Sequence, residues 1–123
     1  MAWELRVELF VADLDVFADF YTRVLGFAIS DDRRLAEPPY MAVRRDMVRI
    51  GAIRAWAAVD RSARALPAGT EVVLETDDVA AERDRVVAKR WPLDADLQAR
   101  PWGLTDFRIY DPDGYYLRLT SRN

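Results

Sequence analysis

A chain of 123 residues, 51% hydrophobic and 32% charged, has the composition of one folded globular domain with a core of its own. It contains neither cysteine nor histidine, which excludes disulfides, thiolate or imidazole metal ligands, and every nucleophile or base built on those groups. A net charge of −3 disfavours nonspecific nucleic-acid binding, and no apolar run suits a membrane span or secretion signal, so a cytoplasmic protein without those partners is expected.

From Glu4 to Val11 the chain alternates, with Leu5, Val7, Leu9 and Val11 on one face and Arg6, Glu8 and Phe10 on the other, predicting a strand with one buried face. Asp13 caps a helix with Asp15 in its first turn; Val16, Phe17, Phe20, Tyr21, Val24 and Leu25 recur at helical spacing, and Gly26 follows as a terminator. Strands are expected over 27–33, 40–45 and 48–59, the last two reversing near Arg45-Asp46. Asp60 to Ala68 is polar, alanine-rich and closed by Pro67 and Gly69, and it reads as the link between two halves.

The second half repeats the first. Thr70 to Thr76 alternates, Asp77-Asp78 caps a helix reaching about Arg90, and a strand is expected over 91–97. Asp106 to Thr120 is two alternating runs joined by Asp111-Pro-Asp-Gly114, in which proline presets φ and glycine accepts a positive φ, so the runs pair as a hairpin. At a spacing of 65 residues Asp78 answers Asp13, Val79 answers Leu14, Glu71 answers Arg6 and Asp111 answers Asp46. The prediction is an α+β fold of two βαβββ modules, about 3–60 and 69–121, within a single domain spanning 1–123. Their sheets form a half-open, curved barrel whose uncovered faces line a cleft.

Three segments carry a family resemblance: Val11-Ala-Asp-Leu-Asp with Phe20-Tyr-Thr-Arg-Val-Leu-Gly-Phe27, Leu74-Glu-Thr-Asp-Asp-Val79, and Phe107-Arg-Ile-Tyr-Asp-Pro-Asp-Gly114. They resemble the vicinal oxygen chelate superfamily, which includes glyoxalase I, extradiol dioxygenases and bleomycin-resistance proteins. The resemblance implies metal-ligand positions at Arg6, Glu71 and Arg118, with Ile53 as the mate of Arg118 by the 65-residue shift. Guanidinium has no lone pair to offer a metal and repels a divalent cation, so no metal and no cofactor are expected. An all-oxygen site for a hard cation is the remaining alternative.

By strand parity Arg6, Glu8, Phe10, Glu71, Val73, Glu75, Tyr116 and Arg118 share the uncovered faces. Arg6, Glu71 and Arg118 are read either as an ion-pair cluster in the metal's place or as groups that also orient a ligand. Trp102, in Pro101-Trp-Gly103 before the hairpin, matches a motif that lines the ligand cleft in the bleomycin-resistance branch. Trp56, placed on a strand with Arg54 on its own face, is the second aromatic candidate. The resemblance thus implies a non-catalytic, homodimeric protein that sequesters an aromatic, partly cationic antibiotic of bleomycin-like or peptide type. Stacking would fall to Trp102 and Trp56, and charge pairing to Glu8, Glu71 and Glu75. The rival is a lyase- or isomerase-type enzyme of the same superfamily that works through those carboxylates or a hard cation.

Overall fold

The computed structural model describes residues 2–65 and 67–122, so that Leu66, inside the predicted link, lies outside them. The chain divides into two compact units, Met1–Val59 and Asp60–Asn123. The first contains β1 (Val7–Val11), α1 (Leu14–Asp19, continuing as a π-helical segment Phe20–Val24), β2 (Ala28–Arg33), β3 (Tyr40–Arg45) and β4 (Val48–Arg54). The second opens with a short 3₁₀ turn, Arg61–Arg64, followed by β5 (Val72–Thr76), α2 (Val79–Ala88), β6 (Ala95–Ala99), β7 (Thr105–Tyr110) and β8 (Tyr116–Ser121). Each unit is thus a βαβββ module, with strand order β1-β4-β3-β2 in one sheet and β5-β8-β7-β6 in the other. In both, the first strand pairs in parallel with the last. Among the described residues no helix is long and apolar enough to cross a membrane.

Local chemistry explains why the elements start where they do. The Asp13 carboxylate accepts the backbone N–H of Asp15 at 2.8 Å and of Val16 at 3.3 Å, and that of Asp78 accepts from Ala81 at 3.0 Å, satisfying helix donors that have no intrahelical partner. Near the end of α1 the Thr22 hydroxyl donates to Ala18 O at 2.6 Å, a back-bond that accompanies bending, and Leu25 N–H returns five residues to Phe20 O. This wide turn stacks Phe17, Phe20 and Phe27 around the buried Tyr21, with ring centroids 4.7, 4.9 and 5.9 Å from it. Together with Leu9, Val11, Met41, Val43, Ile50 and Ala52 they form the core of the first unit. The second unit buries Val79, Val86, Phe107, Ile109, Leu117 and Leu119.

Several boundaries depart from the sequence expectation. The β1–β4 ladder runs only from Val7↔Ile50 to Val11↔Arg54, so Leu5 precedes the first pair and is 77% exposed. β4 ends with its partner at Arg54, so Trp56 is not on a strand. Val16, at helical spacing with the core residues, is nevertheless exposed. β6 begins at Ala95 rather than Trp91, because Trp91 serves the exit of α2: its N–H returns to Val86 O and its indole N–H donates to Tyr110 O at 2.8 Å.

The two hairpins differ in length. Asp46-Met47 joins β3 to β4, whereas Pro112-Asp113-Gly114 lies between the paired Asp111 and Tyr115, whose Asp111 N–H···O Tyr115 bond is 2.9 Å. Asp111 Oδ1 accepts the N–H groups of Asp113 and Tyr115, both at 2.9 Å, and Gly114 takes φ +87°. The second hairpin holds one residue more, and β7 already corresponds to β3 with an offset of 66 (Ala42 with Arg108), so the repeat shifts in two steps. Val7 pairs with Ile50 and Val72 with Leu117, so β4 and β8 correspond with an offset of 67, not 65. The structural mate of Arg118 is therefore Gly51, not Ile53.

The 3₁₀ turn is strapped to the second hairpin. Arg61 donates to Asp111 O at 3.1 Å, Arg64 donates to Asp113 O at 3.3 Å, and the Arg64 guanidinium sits 4.4 Å from the Tyr115 ring centroid.

Candidate functional site

On the face of the first sheet opposite α1, the register sets Glu8 beside Gly51, Gly51 beside Ala42, and Ile53 beside Tyr40. Gly51 is buried, and its lack of a side chain is what admits Glu8: a Cβ there would collide with Glu8 Oε2 and with the Tyr40 hydroxyl. Glu8 Oε1 receives the Arg6 guanidinium at 2.6 Å and the Tyr40 hydroxyl at 2.9 Å, while its Oε2 is buried without a hydrogen-bond partner. Burial raises the Tyr40 hydroxyl pKa above its ordinary value, and the Glu8 carboxylate raises it further. Replacing Gly51 with Ala is expected to displace the Glu8 and Tyr40 tips and cost about 1 kcal/mol, the net worth of one hydrogen bond. A Tyr40 titration moving back toward the ordinary tyrosine value, followed by ultraviolet absorbance, checks it.

Beside this cluster lies a cavity of about 380 Å³ whose lining includes Arg6, Arg33, Arg44, Arg49, Asp31 and Tyr40. Arg33 pairs with Asp31 at 2.9 Å and lies 5.2 Å from the Tyr40 ring centroid, and Arg49 pairs with Glu4 at 2.8 Å. Phe10 and Trp56, respectively 37% and 84% exposed, meet with ring centroids 5.3 Å apart.

In the second unit the face opposite α2 carries Glu71, Glu75, Tyr116 and Arg118. Glu71 pairs with Arg118 at 2.7 Å, and Arg118 lies directly across the ladder from Arg108. Asp106 is fully buried and accepts from Arg100 at 2.9 Å and Arg108 at 3.4 Å. Burial pushes its carboxyl pKa up, but the two guanidiniums outweigh burial and leave it below the ordinary value. Tyr116 donates to Asp94 at 3.0 Å and packs on Tyr110 with centroids 4.9 Å apart. The Nε atoms of Arg108 and Arg118 are buried with no acceptor. Glu75 is exposed and makes no ion pair among the described residues. Trp102 is 56% exposed in the turn held by Arg100 N–H···O Leu104 at 2.8 Å and Gly103 N–H···O Arg100 at 3.0 Å.

Within the first unit Arg6 pairs with Glu8, and within the second Glu71 pairs with Arg118. Reach settles the first pair: Arg6, just before β1, lies two residues from Glu8. Sequence reasoning missed Arg33, Arg44, Arg49, Tyr40, Arg100, Asp106 and Arg108. The alternation Tyr40, Ala42, Arg44 in β3 could have placed three lining residues; Arg49 needed the β3–β4 register.

The superfamily's metal does not fit these residues. With the register corrected, its ligand positions carry Arg6, Gly51, Glu71 and Arg118: two cations, no side chain and one carboxylate already in an ion pair. Among the described residues no group of three or more His, Cys, Asp or Glu could hold a metal ion.

The sequence profile of the Glyoxalase/Bleomycin resistance protein/Dioxygenase superfamily matches residues 5–119. No curated protein matches the chain in sequence. Among solved structures, the fold is similar to that of TioX from Micromonospora sp. ML1 (TM-score 0.80, 21% identity, covering 99% of this chain and 100% of that one). It is also similar to a bleomycin-binding protein complexed with bleomycin (TM-score 0.78, 22% identity, 99% and 100% covered). A third is TnmS3, an antibiotic binding protein from Streptomyces sp. CB03234 (TM-score 0.74, 21% identity, 100% and 98% covered).

Proposed function

Because the chain belongs to the Glyoxalase/Bleomycin resistance protein/Dioxygenase superfamily, we propose that it is a non-catalytic small-molecule binding protein that sequesters an antibiotic. The observation that carries this reading is the donor set at the superfamily's metal positions, where Arg6, Gly51 and Arg118 leave no electrophilic centre to assemble. A cavity of about 380 Å³ lies within the usual range for small-molecule sites, and the fold is that of proteins described as binding bleomycin and other antibiotics.

The ligand is an aromatic compound of bleomycin-like or peptide type. Trp56 with Phe10 in the first unit, and Trp102 in the second, offer exposed ring surface for stacking at little cost in side-chain freedom. Of the carboxylates expected to meet a cationic group, Glu8 and Glu71 are held by Arg6 and Arg118, and Glu75 is the one open to a ligand's positive charge. We read the working form as a cytoplasmic homodimer of single-domain chains.

Titration with bleomycin and a panel of intercalating and glycopeptide antibiotics, read by tryptophan emission, tests this. At least one compound is expected to quench, and Trp102→Ala to weaken its binding about tenfold, the worth of one well-placed ring. Quenching by none of them, or a stoichiometric divalent ion in protein purified without chelator, overturns the reading.

A further inference from the structure

We propose that the cavity on the first sheet recognises an oxyanion, a carboxylate, sulfate or phosphate carried by the small molecule; this rests on the small-molecule reading above. Four guanidiniums, from Arg6, Arg33, Arg44 and Arg49, face the cavity, and three carboxylates, Glu8, Asp31 and Glu4, answer the first, second and last of them. Arg44 is left over. Its Nε donates to the Asp46 backbone O at 3.1 Å, and among the described residues no carboxylate pairs with it.

Arg44 and Arg49 are also direct cross-strand partners on the cavity face of β3 and β4. Like charges placed opposite each other weaken a ladder, and one carboxylate, Glu4, serves the pair. A second anion between them removes the repulsion and meets donors already in place. The guanidinium fork matches the planar or tetrahedral oxygens of a carboxylate, sulfate or phosphate, so the sites most in need of charge are also shaped for one class of partner. Tyr40, with Arg33 stacked over its ring, gives the same cavity an aromatic wall for the ligand's apolar body. A cationic group placed in this cavity would meet the surplus positive charge and be repelled, so a ligand's positive charge belongs elsewhere, at Glu75.

The test uses three probes with one ring system and three charges: 2-naphthoate, 2-naphthalenemethanol and 2-(aminomethyl)naphthalene. Backbone amide shifts in the intact protein give a dissociation constant for each. The naphthoate is expected to bind about tenfold tighter than the alcohol and the amine weakest, with shifts in β3 and β4. Raising salt should weaken the naphthoate alone. Arg44→Gln is expected to lower naphthoate affinity about tenfold and leave the alcohol unchanged, while Arg44→Lys, which keeps the charge and loses the fork, falls between. Naphthoate binding no tighter than the alcohol, or an Arg44→Gln loss shared equally by all three probes, overturns the proposal. If the amine binds best, the oxyanion inference fails and the small-molecule reading stands; if no probe moves any amide, both fail. The ranking on the unaltered protein decides the matter even if a variant does not fold.

Discussion

Asp106→Asn is expected to lower the unfolding free energy by about 3 kcal/mol, the lower end of the cost of breaking a buried ion pair. The carboxylate is fully buried, and its removal leaves the Arg100 and Arg108 guanidiniums, 16% and 22% exposed, facing each other without a counter-charge. Their residual contact with water keeps the loss from being larger. Because the pKa of Asp106 is depressed in the folded state, its stabilising contribution is fully present above the ordinary carboxylate value near pH 4 and is lost as pH falls through the lower, folded value. Denaturant midpoints measured from pH 7 downward should therefore fall in the parent protein and fall less steeply in the Asn variant. Parallel acid limbs would show that Asp106 is not the titrating group.

Gly114→Ala is the second large effect, expected at about 3 kcal/mol, or a fall of about 10 °C in Tm. Two causes add. An L-residue at φ +87° costs about 1–2 kcal/mol of backbone strain. A Cβ would also stand 2.8 Å from Arg61 O and 2.9 Å from Arg61 Cα, backbone atoms that cannot step aside as a side-chain tip can. The 3₁₀ turn must lift, weakening the Arg61 bond to Asp111 and the contact of Arg64 with Tyr115, together about 1–2 kcal/mol. Gly103 supplies the control: its φ is +92°, but nothing lies within 4 Å of a Cβ there, so Gly103→Ala should show the strain alone. Equal losses at the two glycines in thermal melts would remove the strap from the account.

Both helix caps and the Asp111-Pro-Asp-Gly114 hairpin depend on interactions within a few residues, and composition and spacing expose those directly. Strand parity gives Glu8 and Arg118 their places in the ladders, beside Gly51 and Val73, while Arg6 and Glu71 precede β1 and β5. It failed for Leu5 and Trp56, because a strand extends only as far as its partner does and the β1–β4 ladder stops at Arg54. The offset of the repeat failed for a similar reason. One residue added before β7 and one in the longer second hairpin displace β8 against β4, and counting residues from the helix caps cannot see it.

Charge shows the divide most clearly. The sequence by itself determined that imidazole and thiolate chemistry is absent and that guanidiniums stand where the family resemblance puts metal ligands. Which charges neutralise one another was decided by the tertiary structure alone. Glu8 is spent on Arg6 and Tyr40 because Gly51 leaves room for it, and Arg44 faces Arg49 because two antiparallel strands fall into one register. Coulomb energies depend on separations of a few ångströms across strands distant in sequence. A linear pattern holds the list of charges, and folding sets the distances between them.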